Sequence, residues 1–412
     1  MIAYRDRAVD SLLDDLLRAF PAVMVHGPRA SGKTTTAAAR AATVVRLEVA
    51  AQAAVFRADP DAALAAYPER PLLIDEWQEV PEVMGAVKRA VDAGAEAGSF
   101  LLTGSVRADA DAATWPGPGR VPDIRMRPLA EREVRGTVTA PGLLGRVTAG
   151  FPVGPVAGAP NLLGYLDIAL RGGLPEPALG VAVRDPATWY RSYVEQVARR
   201  DALALLRRAD PDRVRRYLEA YALNSAGVVD HATIFGAAGI NRRTAEGYEA
   251  MLARLFVVEA VPAFGSTRLK RLMQRPKRFL ADAALMAAAA RLDRGAILRD
   301  GGLLGQVIET FVYTQLRGEL DAHQPEVRLH HLRTEGGRQE VDFILDLGAR
   351  RVVGVEVKAA AGVEAADARH LAWLRDNLGS DFALGVVLHT GPDVYPLGER
   401  IVAAPICTLW TA

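Results

Sequence analysis

Residues 22–36 read Ala-Val-Met-Val-His-Gly-Pro-Arg-Ala-Ser-Gly-Lys-Thr-Thr-Thr: an apolar run, a glycine-bounded loop, then small helix-forming residues. Gly27, Gly32, Lys33 and Thr34 stand at the fixed positions of the phosphate-binding loop pattern. The glycines permit a backbone whose N–H groups turn inward on a phosphate, and the helix starting near Lys33 adds its positive dipole end. A strand before the loop and a helix after it separate this stretch from a chance glycine turn. The pattern predicts a nucleotide cradle of Gly27, Pro28, Arg29, Ala30, Ser31, Gly32, Lys33, Thr34 and Thr35, with Lys33 on the β- and γ-phosphates and Thr34 on Mg²⁺. ATP and Mg²⁺ are the expected ligands.

Residues 71–76, Pro-Leu-Leu-Ile-Asp-Glu, form an apolar run ending in two carboxylates. Downstream of such a loop, Asp75 is expected to orient Mg²⁺ and Glu76 to polarise the attacking water; the plainer reading is a buried strand with a polar turn. Residues 99–105 make a third strand, ending in hydroxyls. Parallel strands present their carboxyl ends on one edge, so Thr103 and Ser105 are expected beside the γ-phosphate. Helical spacing over 4–19, 60–67 and 81–94 alternates with strands, including one over 44–49. This alternation predicts a parallel sheet covered on both faces.

A chain of 412 residues exceeds what one core holds and implies roughly two to four domains. The only cysteine is Cys407, which excludes an intramolecular disulfide framework and a cysteine-based zinc site. No window offers the roughly 20 uncharged apolar residues that span a bilayer, and residues 1–7 lack the apolar core of a signal peptide. The expectation is a cytoplasmic protein with no membrane partner. A net charge of +1 neither favours nor excludes nucleic acid, since only a local basic face would matter.

Beyond the third strand, residues 115–135 are rich in Pro, Gly and Arg. Arg120 there either neutralises a γ-phosphate across a subunit boundary in a homo-oligomer or is a solvated loop arginine. Residues 136–160, nearly uncharged and dominated by Gly, Pro, Ala and Val, read as a linker. Residues 161–226 have helical period, with Tyr190, Tyr193, Val194 and Val197 as one core stripe and Val214, Tyr217, Leu218 and Tyr221 as another. Residues 230–261 suggest a helix, a turn at Gly239 and a longer helix capped by Asn241, with residues 256–264 as strands of a wing. That is a helix-turn-helix arrangement in which Arg242 and Arg243 face DNA; a packing module is the alternative.

The C-terminal stretch combines an amphipathic helix over 305–320 bearing Glu309 with strands over 327–332, 340–345 and 352–358. Side chains alternate across a strand, so Glu356 and Lys358 share a face. An Asp342 hairpin partner beside this Glu-x-Lys can hold a divalent metal between carboxylates, with Lys358 next to the attacking water and Glu309 approaching from the helix. Solvated charges on an edge strand are the competing explanation. His370 and Trp373 read as ordinary surface and core residues.

The loop at 27–34, Leu73-Ile74-Asp75-Glu76, Leu102-Thr103-Gly104-Ser105, Gly172-Gly173-Leu174-Pro175-Glu176, Pro276-Lys277-Arg278-Phe279 with Asp282, and Glu340-Val341-Asp342 with Glu356-Val357-Lys358 together resemble the prokaryotic AAA-type ATPases whose C-terminal half is a domain of unknown function. The resemblance spans nearly the whole chain. It implies an α/β protein with an AAA-type P-loop ATPase domain over 1–135, the linker 136–160, a helical domain over 161–227, a winged helix over 228–265 and a restriction-endonuclease-like α/β domain over 266–412. It also implies nucleotide roles for Lys33, Thr34, Asp75 and Glu76, a nuclease-like set of Glu309, Asp342, Glu356 and Lys358, and a match for Arg120 in the Gly-Arg that follows the sensor strand. Two functions follow as alternatives: an ATPase driving a metal-dependent nuclease on nucleic acid, or a nucleotide-controlled DNA- or protein-binding regulator with an inactive nuclease-like scaffold.

Overall fold

The apolar runs near the N-terminus become five parallel strands: β1 (Ala22–His26), β2 (Thr43–Arg46), β3 (Leu72–Asp75), β4 (Phe100–Gly104) and β5 (Asp123–Arg125). Every residue of β1, β3 and β4 is buried, as expected of strands covered on both faces. Their order is β2-β3-β4-β1-β5, so β4 separates the strand leading into the glycine loop from the strand ending in Asp75. A computed structural model describes residues 4–106, 119–180, 185–206, 209–265, 275–323 and 327–411. In it this sheet belongs to a unit made of Met1–Leu129 with Ala253–Val257.

The helices of this unit start where capping chemistry predicts. Pro60–Ala65 follows Asp59, whose carboxylate accepts from Asp61 N at 3.1 Å and Ala62 N at 3.0 Å, with Pro60 in the first turn. Val83–Asp92 buries Val83, Met84, Ala86 and Val87 in a core that includes Leu72, Ile74, Phe100 and Leu102.

The second unit comprises Ala130–Leu252 and Val258–Ala412. Its large sheet contains β6 (Gly154–Pro155), β9 (Arg328–Arg333), β10 (Glu340–Asp346), β11 (Val352–Val357), β12 (Phe382–His389), β13 (Asp393–Gly398) and β14 (Ile401–Pro405), in the order β6-β13-β14-β12-β11-β10-β9. Strands β11, β12 and β14 run parallel, while β9 and β10 add antiparallel to one side. A separate two-stranded sheet joins β7 (Val258–Val261) and β8 (Lys277–Leu280). The chain is thus mixed α/β, with an N-terminal parallel sheet flanked by helices and a further β-sheet domain at the C-terminus.

Three sequence expectations change here. Residues 136–160, read as a linker, contain the helix Leu143–Ala149 and strand β6. The Glu319 carboxylate accepts from Leu143 N at 2.9 Å and Leu144 N at 3.0 Å, and buried Arg146 donates to the carbonyls of Thr408 (2.9 Å) and Thr411 (2.8 Å). The low charge of this stretch therefore reflects packing. Strand β8, assigned to the C-terminal domain by its place after residue 265, instead pairs with β7; residues 266–274 between them lie outside the described residues. The helix bearing Glu309, Gly301–Leu320, is buried nearly all round from Thr310 onward rather than on one face. The aromatic stripes of the central helices are core, with Tyr190, Tyr217 and Tyr221 almost fully buried.

Candidate functional sites

Gly27 has φ 156°, and a Cβ there would lie 2.2 Å from the carbonyl oxygen of Met126, the residue after β5. Only glycine lets the loop leave β1 so close to that backbone. Gly32 caps the helix Lys33–Ala38 with φ 91°, a left-handed conformation that also favours glycine. Between them the Ser31 hydroxyl is fully buried with no hydrogen-bond partner among the described residues. An orphaned buried donor is costly without a partner, and an oxygen-rich anion in the loop would supply one.

Lys33 is 4% exposed, and its ammonium donates to the carbonyl of Pro28 at 2.9 Å. Burial pulls its pKa down to about 8, assisted by repulsion from Arg29 and opposed by the charges of Glu76 and Asp75. Thr34 Oγ1 donates to Asp75 Oδ1 at 2.8 Å, and the Thr103 hydroxyl donates to the same oxygen. The carboxyl ends of β3 and β4 and the start of the loop helix thus meet at one atom. The hard oxygens of Thr34 and Asp75 suit Mg²⁺.

Glu76 takes up a left-handed conformation, φ 54° and ψ 53°, unusual for a residue with a Cβ. Its carboxylate accepts from Ser105 Oγ at 2.8 Å, from Ser105 N at 3.3 Å and from the Gln78 amide. Ser105 and Gln78 therefore set where this carboxylate points. Gln78 was not singled out from sequence, since only the turn after β3 brings it back.

Arg120 lies away from this site. It pairs with Asp92 at the end of the helix Val83–Asp92, and both side chains are about half exposed. Asp92 precedes β4 and Arg120 precedes β5, whereas the phosphate loop follows β1. In a parallel sheet these are opposite edges, so Arg120 does not reach the loop of its own chain.

In the second unit, the β10–β11 register pairs Phe343 with Val355, and its continuation sets Asp342 opposite Glu356 on one face. Asp342 Oδ2 accepts from Val357 N at 2.9 Å. A divalent metal was expected between Asp342 and Glu356 with Glu309 approaching from the helix; beside Asp342, on the Glu309 side, the structure places the ammonium of Lys277, from β8. Its Nζ lies 2.9 Å from Asp342 Oδ1, pairs with Glu309 Oε1 and sits 5.6 Å above the ring centroid of Phe343. Lys277 is 1% exposed. Lys358 Nζ is 3.6 Å from Glu356 Oε2, while Glu356 Oε1 has no hydrogen-bond partner among the described residues.

The buried Lys277 ammonium therefore serves two of the carboxyls, Glu309 and Asp342, while buried Glu356 faces Lys358. Burial opposes the charge on Lys277, but Asp342 and Glu309 outweigh it and hold the ammonium well above its ordinary pKa. Burial also raises Asp342, yet the Lys277 charge and hydrogen bond bring it below the usual carboxylate range. Glu309 is pushed up to about 8 and Glu356 well up, in both cases by burial first and the Asp342 charge second. Among the described residues no group of three or more His, Cys, Asp or Glu side chains is arranged to hold a metal ion. In this arrangement Glu309, Asp342 and Glu356 do not fit a resident divalent ion, because Lys277 fills the position between the first two.

Lys277 lay in the quoted Pro-Lys-Arg-Phe stretch without a role. The available signal was alternation: Lys277 shares a strand face with Phe279, whose ring stacks on Tyr313 and Phe343 with centroids 4.1 and 5.7 Å away. A lysine on so apolar a face needs carboxylate partners.

The helices His231–Ala237 and Arg242–Arg254 are joined through Gly239, with φ 65°. Asn241 Oδ1 accepts from Thr244 N at 2.9 Å, the expected cap. Arg242 and Arg243 are exposed, and Arg242 Nε donates to Glu246 at 2.7 Å. No helix among the described residues is long and apolar enough to cross a membrane.

Comparison with known proteins is consistent with the first site. Residues 19–135 match a family described as an AAA domain. Residues 163–295 and 304–409 match two families described as domains of unknown function, DUF8612 and DUF4143. Two uncharacterized proteins, from Mycobacterium tuberculosis and Mycobacterium bovis, are each 26% identical over 410 residues, covering 98% of this chain and 84% of theirs. The Walker-type ATPase PABY2304 of Pyrococcus abyssi aligns over 69% of this chain and 94% of its own, at 15% identity and a TM-score of 0.40.

Proposed function

From an N-terminal region of the AAA P-loop ATPase type, we propose that this chain binds and hydrolyses ATP and uses the nucleotide state to act on, or respond to, nucleic acid. The observation that carries the ATPase reading is the meeting of Thr34, Asp75 and Thr103 at one oxygen, with Lys33 and Glu76 beside it. In this reading residues 27–35 cradle the phosphates and Lys33 turns from the Pro28 carbonyl to the β- and γ-phosphates. Thr34 and Asp75 would hold Mg²⁺, which neutralises phosphate charge when bound. Glu76 orients the attacking water, and Thr103 and Ser105 sense the γ-phosphate. Arg120, placed on the opposite edge of the sheet, serves a neighbouring subunit's site in a homo-oligomer.

The finer organisation is part of the same proposal: ATPase domain over 1–135, helical domain over 161–227, winged helix over 228–265 to which β8, beyond it in the chain, adds a strand, and a nuclease-like fold in the C-terminal part. Two helices around Gly239, exposed Arg242 and Arg243, and the β7–β8 pair support the winged-helix reading. For the C-terminal part, the Lys277 ammonium among the carboxylates favours a scaffold with its nuclease-like site closed over an active nuclease.

The test is phosphate release by the full chain with Mg²⁺, with and without duplex DNA. Hydrolysis that requires Mg²⁺ and responds to DNA, with the DNA response lost in Arg242→Ala/Arg243→Ala, is expected. No turnover under any condition removes the ATPase reading, and turnover indifferent to DNA removes the nucleic-acid reading.

A further inference from the structure

Residues 283–290 read Ala-Ala-Leu-Met-Ala-Ala-Ala-Ala, and the helix Ala283–Ala289 sets Ala284, Ala287 and Ala288 on one face, at helical spacing. These alanines line a cavity of about 700 Å³ among the helices Leu162–Arg171, Pro186–Gln196, Pro211–Ala222 and Ala283–Ala289, with Leu170, Val194 and Leu292 as further apolar lining. Protein interiors leave few voids larger than a water molecule. An apolar cavity of this size between helices is the usual form of a small-ligand site. We propose that it binds an amphipathic anion: a molecule whose apolar body lies against the alanines and whose carboxylate or phosphate head is held by arginines where the cavity opens.

The charge at the opening carries the choice of ligand. Arg191, Arg215, Arg291 and Arg294 line the cavity against only Glu195 and Asp293 as carboxylates among the described residues, and the four arginine side chains stay partly exposed. Asp293 caps the helix Arg294–Arg299, accepting from Ala296 N at 2.7 Å. Arg294 is closed on Asp167 at 2.9 Å. Arg215, by contrast, stands 3.9 Å from Glu195, and Arg291 stands 3.9 Å from Glu219. Both separations exceed hydrogen-bond range, so the two guanidiniums can take an anionic head without breaking a close ion pair. A cationic amphiphile would meet the same arginines as repulsion. The alanines matter for a separate reason: a larger side chain at any of these positions would occupy the space that the apolar body needs.

The test is fluorescence titration of the full chain with anilinonaphthalene sulfonate, an aromatic body carrying one sulfonate, with and without ATP. Displacement is then measured with laurate, dodecyl phosphate, dodecanol and dodecyltrimethylammonium. About one probe per chain should bind, ATP should leave it in place, and laurate or dodecyl phosphate should displace it, the stronger of the two identifying the head. Ala288→Trp, which puts a large ring into the cavity, should abolish binding. Arg215→Ala/Arg291→Ala should weaken it roughly tenfold or more, and these partly exposed positions test the head contact even where Ala288→Trp does not fold. Thermal midpoints establish that each variant is folded. The proposal is overturned if no probe binds, if ATP displaces it competitively, if dodecanol or dodecyltrimethylammonium displaces it as well as laurate and dodecyl phosphate do, or if either folded variant binds it unchanged.

Discussion

The Thr34 hydroxyl donates to Asp75 Oδ1 at 2.8 Å across 41 residues of chain. That bond ties the helix after the glycine loop to the end of β3, and Thr103 fastens the end of β4 to the same oxygen. Three elements that would each have to be positioned by a nucleotide complex are already in register, which lowers the ordering cost of binding.

Lys33 is the long cation placed to leave the Pro28 carbonyl for phosphate. Hydrogen bonds to charged groups contribute about 1.5–3 kcal/mol each, so Lys33→Ala should weaken ATP binding by roughly one to two orders of magnitude. Fluorescent-nucleotide titration measures this, with circular dichroism to confirm the fold. Unchanged affinity would remove Lys33 from the phosphate site.

Glu76 has its carboxylate aimed by Ser105 and Gln78. Glu76→Gln should spare ATP affinity and slow single-turnover hydrolysis by about 10² or more, the usual size of a general-base or water-positioning effect. Ser105→Ala should lower turnover less, because Gln78 still holds the side chain. A Glu76→Gln protein that hydrolyses at the parental rate would assign the water to another residue.

Arg120 cannot reach the phosphate loop of its own chain, so its proposed role is in trans. Arginine fingers contribute about 10³ or more in rate. Arg120→Ala should lose turnover by that order while binding ATP normally, and mixing it with Lys33→Ala chains should restore part of the activity. Light scattering that shows a monomer at full activity would contradict this arrangement.

His331 is expected to make the stability of the second unit depend on pH. Burial, followed by the nearby charge of Lys277, lowers its pKa from 6.5 to about 4, against a hydrogen bond between Nε2 and the Arg275 carbonyl. The unfolded chain then takes up a proton between about pH 6.5 and 4 that the folded chain does not. The contribution is fully present above the unfolded pKa and is lost as pH falls through the folded one. From pH 7 to 5 the wild type should lose on the order of 1–2 kcal/mol more than His331→Gln. Urea denaturation at the two pH values measures the difference, and parallel losses would show that His331 is not the cause.

The phosphate loop was legible in sequence because its requirements are local. Eight consecutive residues supply the glycines, the lysine and the hydroxyl, and Gly32 needs only its own backbone to turn the chain. Asp75, Glu76 and Thr103 were legible for a related reason: a short apolar run predicts a buried parallel strand, and such strands deliver their last residues to a common edge. The face shared by Glu356 and Lys358 is expected from strand alternation in the same way, whereas setting Asp342 opposite Glu356 took the register of the hairpin.

What tertiary structure alone decided is where distant segments meet. Lys277 and Asp342 are 65 residues apart, and no local periodicity links a lysine on a two-stranded sheet to a carboxylate on another. The burial of 136–160 was equally non-local: the carboxylate that holds the start of the helix Leu143–Ala149 belongs to Glu319, 176 residues from Leu143. Arg120 reads from sequence either as an arginine acting across a subunit boundary or as a solvated loop residue, and it took the sheet to set it beside Asp92, away from the loop of its own chain. Backbone preferences act over a few residues and write themselves into sequence, whereas a buried charge is satisfied by whichever partner the folded chain brings to it.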